Sequence, residues 1–313
     1  MALPASLFEL PEPDPVDRTT DAALDSVVKW FRAQPDIVTR LGATMRQAID
    51  EVLDGHRTGR YDIATLEKTE KTYLGTKVEI LLRTEFTLAK GRRMDFLVDG
   101  HDVDSKFSIT GRWSIPTEAI GHLCLVSSAD DRTSRFSVGI VRIEPGILNK
   151  GRNKDHKTTI AAGEYNRITW LARSARLPEN LLLHLPSGVV EAIMAAGSGQ
   201  RRVNELLRRV QGRVIDRNTA VTVARQADGL KRCRDARIHL APEGIAVLGH
   251  QNDCPRIASH LELPTPRKGT FLAVRLTRVT REGATRPAVR LGDSFYAVAR
   301  AEDPVTPVPP IKY

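Results

Sequence analysis

The chain has 313 residues, 41% of them hydrophobic and 27% charged, which is enough for two domains that each bury a core. No apolar run approaches the ~20 residues of a membrane span, and three widely spaced cysteines form neither a disulfide framework nor a metal knuckle, so a soluble, cytoplasmic protein is expected. The net charge of +9 points to a polyanionic partner, and +7 of it falls within residues 201–237, where eleven Arg or Lys stand against four acids.

Residues 1–20 are proline-containing and acidic, without apolar periodicity and without the basic and apolar segments of a secretory signal, so a flexible arm is expected. Over residues 21–53 apolar side chains recur at helical spacing, which predicts two helices with a break near Pro35 and a stop at Asp54-Gly55. A third helix is expected from about Leu74, with Thr72 or Thr76 as cap, Val78, Leu81, Leu82 and Phe86 turned inward, and Glu79 in its middle. Residues 93–98 and 101–107 alternate as strands do, and Asp99-Gly100 between them marks a tight hairpin. Two further strands are expected at 122–127 and 136–143. Helices leading into a mixed sheet form an α/β layout.

The polar, basic stretch 149–157 has little to bury, and a domain boundary is placed near 165–178. Beyond it, 181–185, 203–210, 219–227 and 230–236 read as mostly helical, and 245–248 and 271–279 as strands, with no internal repeat.

The chemistry concentrates on Asp95, Asp104 and Lys106. Residues two apart on a strand share a face, so Asp104 and Lys106 project together, and the hairpin brings Asp95 alongside. Two carboxylates can hold Mg²⁺ at a phosphodiester, while an ammonium offsets charge building up in the transition state. Glu79 on the preceding helix can complete the set. An acid-x-Lys triplet arises by chance roughly once or twice in such a composition, and a second one stands at Asp155-His156-Lys157. Strand context and the upstream acids distinguish the first. The bland alternative is a hairpin with solvated charges.

Residues 219–226, 227–229 and 230–237 read as helix, glycine-containing turn, helix, the grammar of a helix-turn-helix, with 238–248 as a possible wing. Arg225, Lys231, Arg232, Arg234 and Arg237 are its candidate DNA contacts, against the alternative of a solvated basic helix. His250, Cys254 and His260 are too few and too irregular for zinc, and His122 and Cys124 read as core residues.

The pattern resembles the PD-(D/E)xK nuclease superfamily. From about residue 48 to 268 the chain resembles the NaeI-type (type IIE) restriction endonucleases. The resemblance is carried by Asp54-Gly55-x-Arg57-Thr58-Gly59-Arg60, Lys68-Thr69-Glu70-Lys71-Thr72, Gly75-Thr76-x-Val78-Glu79-Ile80, Asp104-x-Lys106-Phe107-Ser108, Ile120-Gly121-His122-x-Cys124-Leu125-Val126, Arg202-Val203-Asn204-Glu205-Leu206 and Leu248-Gly249-His250-Gln251. It implies Glu79, Asp95, Asp104 and Lys106 as the catalytic set, with the first three as metal ligands for Mg²⁺. It also implies a homodimer cutting double-stranded DNA at GCCGGC, and a second domain similar to that of catabolite activator protein, which binds a second DNA copy as activator. The expected organisation is an arm (1–20), an endonuclease domain (21–168), a linker (169–178) and a winged-helix-like domain (179–313). Where a ligase places its nucleophilic lysine, ahead of Leu53-Asp54-Gly55, this chain has Val52, whose alkyl side chain cannot form a phosphoramidate. The rival readings are a non-catalytic DNA-binding regulator and a mismatch repair nickase.

Overall fold

The computed structural model describes residues 21–151, 153–280 and 286–313, and the arm expected at 1–20 lies outside them. The chain divides into two compact units, one running up to Val52 and then over Asp62–Asn180, the other formed by Leu53–Tyr61 with Leu181–Tyr313.

The first unit opens with α1 (Ala22–Arg32), capped by Asp21, whose carboxylate accepts the Leu24 N–H at 3.0 Å, and continues with α2 (Ile37–Leu53) beyond the Pro35 break. The short α3 (Gly55–Thr58) belongs to the second unit. The next helix, α4 (Lys68–Glu85), starts ahead of the expected Leu74 because Glu67 and Glu70 form a reciprocal capping box. Thr72 therefore lies inside the helix and bonds back to the Lys68 carbonyl at 3.1 Å rather than capping it.

The strands of this unit are β1 (Ala89–Lys90), β2 (Phe96–Val98), β3 (His101–Ser108), β4 (Ser114–Ile115), β5 (Leu123–Asp130), β6 (Arg135–Arg142), β7 (Thr158–Thr159) and β8 (Thr169–Arg176). Six of them form one sheet in the order β1-β2-β3-β5-β6-β8, in which only β3 and β5 run parallel, and β4 pairs separately with β7. The apolar run of β5 is buried along almost its whole length, as a central strand requires. Helix α4 packs on β3, and α1 packs on β6 and β8. The linker expected at 169–178 is instead mostly strand: β8 buries Ala172 and pairs with β6, closing one edge of the sheet.

In the second unit follow α5 (Ser187–Ala195), which the sequence reading did not separate out, then α6 (Gly199–Arg209), β9 (Val214–Ile215), α7 (Arg217–Ala224), α8 (Gly229–Leu240), β10 (Ile245–Leu248), α9 (Cys254–His260), β11 (Phe271–Val279), β12 (Ala288–Leu291) and β13 (Ser294–Val298). Helices α6, α7 and α8 pack on one another around Val203, Leu207, Val223, Cys233 and Ala236. Strand β11 pairs antiparallel with β9, β10 and β13. Residues 238–240, expected in a wing, are the last residues of α8, and the chain turns only at Gly244. Among the described residues no helix is long and apolar enough to cross a membrane.

Candidate active site

The hairpin that organises the site forms for a local reason. Asp99 and Gly100 both take positive φ, 47° and 82°, the conformation of a tight turn between right-twisted strands. The turn pairs Phe96 with Val103 and Val98 with His101. Asp95 stands one step before β2, in a bend rather than in the strand expected from residue 93, and continuing that register sets it against Asp104. The bend is held by Asp102, whose Oδ1 accepts the backbone N–H groups of Arg92 at 2.6 Å, Arg93 at 3.2 Å and Met94 at 3.5 Å. Burial pushes the Asp102 carboxyl up, and these donors pull it below the ordinary range. A Cβ at Gly91 would collide with the Met94 carbonyl, so the loop closes this tightly only with glycine.

The Asp95 carboxylate accepts the Ser105 N–H at 2.8 Å. Asp104, only 6% exposed, shares its face of β3 with Lys106, whose Nζ lies 2.7 Å from the Asp104 carboxylate and 3.1 Å from the Ser105 carbonyl. The parallel register of β3 and β5 sets Cys124 opposite Asp104, with the thiol 3.7 Å from Oδ2. Cys124 is thus a core residue, as expected, that also props a catalytic candidate. On α4, Glu79 is held by Arg83, whose Nη2 donates to Glu79 Oε1 at 2.6 Å and to the Asp95 carbonyl at 3.3 Å.

Burial raises the Glu79 carboxyl and Asp95 raises it further, against Arg83 and Lys106. Burial likewise raises Asp104, against Lys106, with Asp95 adding to the rise. Burial lowers Lys106, but Asp104 more than compensates and keeps it protonated. Among the described residues no three acidic, His or Cys groups converge closely enough to chelate an ion as they stand. Cations instead hold two of the carboxylates, Lys106 on Asp104 and Arg83 on Glu79. The donor chemistry still fits a divalent cation: the groups are hard oxygens, and Asp95 raises both of its acidic neighbours, a repulsion that a dication between them relieves.

The structure brings Glu79, Asp95, Asp104 and Lys106 into one cluster. It separates the five basic candidates of the second unit. Arg225, Lys231 and Arg234 are exposed. Arg232 is tied to Asp228 at 3.1 Å and to Gln226 at 3.2 Å. Arg237 is turned inward: its Nε donates to the Val247 carbonyl at 3.1 Å and its guanidinium lies 4.1 Å from the Tyr313 ring centre. The position faces β10, so the partly buried guanidinium also serves in packing. Sequence reasoning misses Arg83, Asp102 and the contact of Cys124 with Asp104. Arg83 was within reach, one helical turn after Glu79, whereas the other two depend on strand register.

A central mixed sheet that carries an Asp-x-Lys strand beside a second acidic residue is consistent with a nuclease of restriction-endonuclease-like fold. The chain belongs to the restriction endonuclease NaeI family, which it matches over residues 25–307. It is 41% identical over 281 residues, 86% of this chain and 88% of the relative, to the type II restriction enzyme NaeI of Lentzea aerocolonigenes. By that membership it is a type II restriction enzyme, a class that generally uses divalent metal ions.

Proposed function

We propose that the chain hydrolyses both strands of duplex DNA at a GC-rich palindrome, GCCGGC, with Mg²⁺ held by Asp95, Asp104 and Glu79. The observation that carries the reading is the Asp104–Lys106 pair on β3, with Asp95 across the hairpin. Mg²⁺ bound there supplies Lewis-acid polarisation of the scissile phosphate. Lys106 keeps its proton in this acidic setting, and its ammonium offsets the charge that builds up on the phosphate oxygens. Ser105 N–H and the Cys124 thiol hold the Asp95 and Asp104 carboxylates in place. A palindromic target is matched by a homodimer, because two copies related by a two-fold axis present the same site to each strand.

The second unit is read as a winged-helix domain that binds a second copy of the target as activator. Supporting this is its order of α6, β9, α7, α8, β10 and β11, with Lys231 and Arg234 exposed on α8. Digestion of plasmid DNA with Mg²⁺, followed by sequencing of the ends, tests the cleavage reading. Double-strand breaks at GCCGGC are expected. Nicks confined to mismatches, or binding without cutting, would replace the reading with one of its rivals.

A further inference from the structure

Arg83 donates hydrogen bonds to both the helix and the hairpin halves of the acidic cluster. It lies one turn after Glu79 on α4, and its Nη2 binds Glu79 Oε1 at 2.6 Å and the Asp95 carbonyl at 3.3 Å. The guanidinium carbon sits 5.7 Å from the centre of the Phe96 ring, and Nε is buried without a hydrogen-bond partner. Arginine gains from a planar fork only when its donors are matched, and a buried, unmatched donor costs free energy. The arrangement is therefore serviceable and not optimal. It keeps Glu79 engaged with a cation on one side while Lys106 engages Asp104 on the other.

We infer that Arg83 is an internal counter-ion that a divalent cation must displace from Glu79, so that this arginine sets the metal concentration at which the centre fills. Arg83 is thus a positioning residue that acts through Glu79. The inference rests on the proposed metal site of Asp95, Asp104 and Glu79. Removing one positive charge from the edge of a three-carboxylate cluster strengthens its hold on a dication by roughly tenfold at the separations found near a protein surface. A substitution that merely loosens α4 against the hairpin would weaken that hold.

The test is Mn²⁺ binding to the full chain without DNA, read by electron paramagnetic resonance of free Mn²⁺, for the unsubstituted protein, Arg83→Met, Arg83→Lys and Asp104→Asn. The expected result is a dissociation constant about tenfold lower in Arg83→Met, including the case in which only that variant binds measurably, with Arg83→Lys near the unsubstituted value because the charge is kept. Unchanged or weaker binding in Arg83→Met, while binding still depends on Asp104, overturns the inference and leaves the metal site standing. If neither the unsubstituted protein nor Arg83→Met shows binding that Asp104→Asn abolishes, the metal-site reading itself falls and takes the inference with it.

Discussion

Asp95 and Asp104 face one another one step beyond the paired residues of the β2–β3 hairpin, and the Asp95 carboxylate is fixed by the backbone N–H of Ser105 at 2.8 Å. Neither carboxylate is placed by its own side chain alone. The turn at Asp99-Gly100, the Asp102 anchor under residues 92–94 and the Cys124 thiol beside Asp104 each remove one degree of freedom from the pair.

Asp104→Ala and Lys106→Ala are each expected to abolish cleavage while leaving specific DNA binding measurable in Ca²⁺. Charge stabilisation at the phosphate is lost, but contacts to the grooves are not. Parallel cleavage and gel-shift assays check this, and residual cleavage near the unsubstituted rate in either variant would place the chemistry elsewhere.

The acidic cluster also predicts how stability depends on pH. Glu79 and Asp104 sit above their ordinary values of 4.5 and 3.8, so in the metal-free fold their ionised forms are less favourable than in the unfolded chain. Their stabilising contribution is present in full below the ordinary carboxylate range and is lost as pH rises through the raised values. A divalent cation binds the ionised form and reverses the loss. Melting temperatures in EDTA and in Ca²⁺, compared across a pH series, should diverge increasingly from about pH 4 upward. An increment from Ca²⁺ that is equal at acid and neutral pH would contradict the assignment.

Much of this site was legible in the sequence because it is local. Asp-Gly between two alternating runs specifies the hairpin, and the hairpin specifies which face Asp104 and Lys106 share. What was not legible depends on partners distant in sequence. Cys124 meets Asp104 only through a parallel pairing that skips β4, and Arg237 is recognised as a packing residue only once β10 and Tyr313 are seen against α8. The start of α4 is hidden in the sequence because glutamate is an unusual N-cap and Glu67 acts only together with Glu70. The extended pattern of β8 resembles a linker because much of the strand, at the sheet edge, is only partly buried and so lacks the continuous apolar run of a central strand such as β5.

A buried ion pair offers a test of the first unit that does not touch its chemistry. Asp131, wholly buried, holds the Arg46 guanidinium and accepts from Asn180 Nδ2 at 3.2 Å, and Arg46 is bound a second time by Asp50 at 2.8 Å. Asp131→Ala leaves a buried guanidinium with one carboxylate in place of two. Breaking such a pair costs about 3 kcal/mol or more. Urea denaturation should show the loss, and a change under about 1 kcal/mol would mean that Asp50 alone satisfies Arg46.

The second unit separates its arginines by what they already touch, and that separation makes the effector reading testable. Lys231 and Arg234 are exposed on α8, so replacing both with Ala removes candidate phosphate or base contacts and little else. Arg237 is bound to the Val247 carbonyl and lies against Tyr313, so Arg237→Ala removes packing and is expected to lower stability. If α8 binds an activating copy of the target, a plasmid with one site is cut slowly by the unsubstituted enzyme and faster when a short duplex carrying the site is added, because a ligand that favours the active state shifts the population toward it. The Lys231→Ala/Arg234→Ala enzyme should keep its melting temperature and its slow basal cutting but lose the stimulation. Arg237→Ala should melt earlier and, at temperatures where it remains folded, still respond to the duplex. Should a one-site plasmid be cut as fast as a two-site plasmid, with added duplex acting only as a competitor, the second unit is not an effector domain.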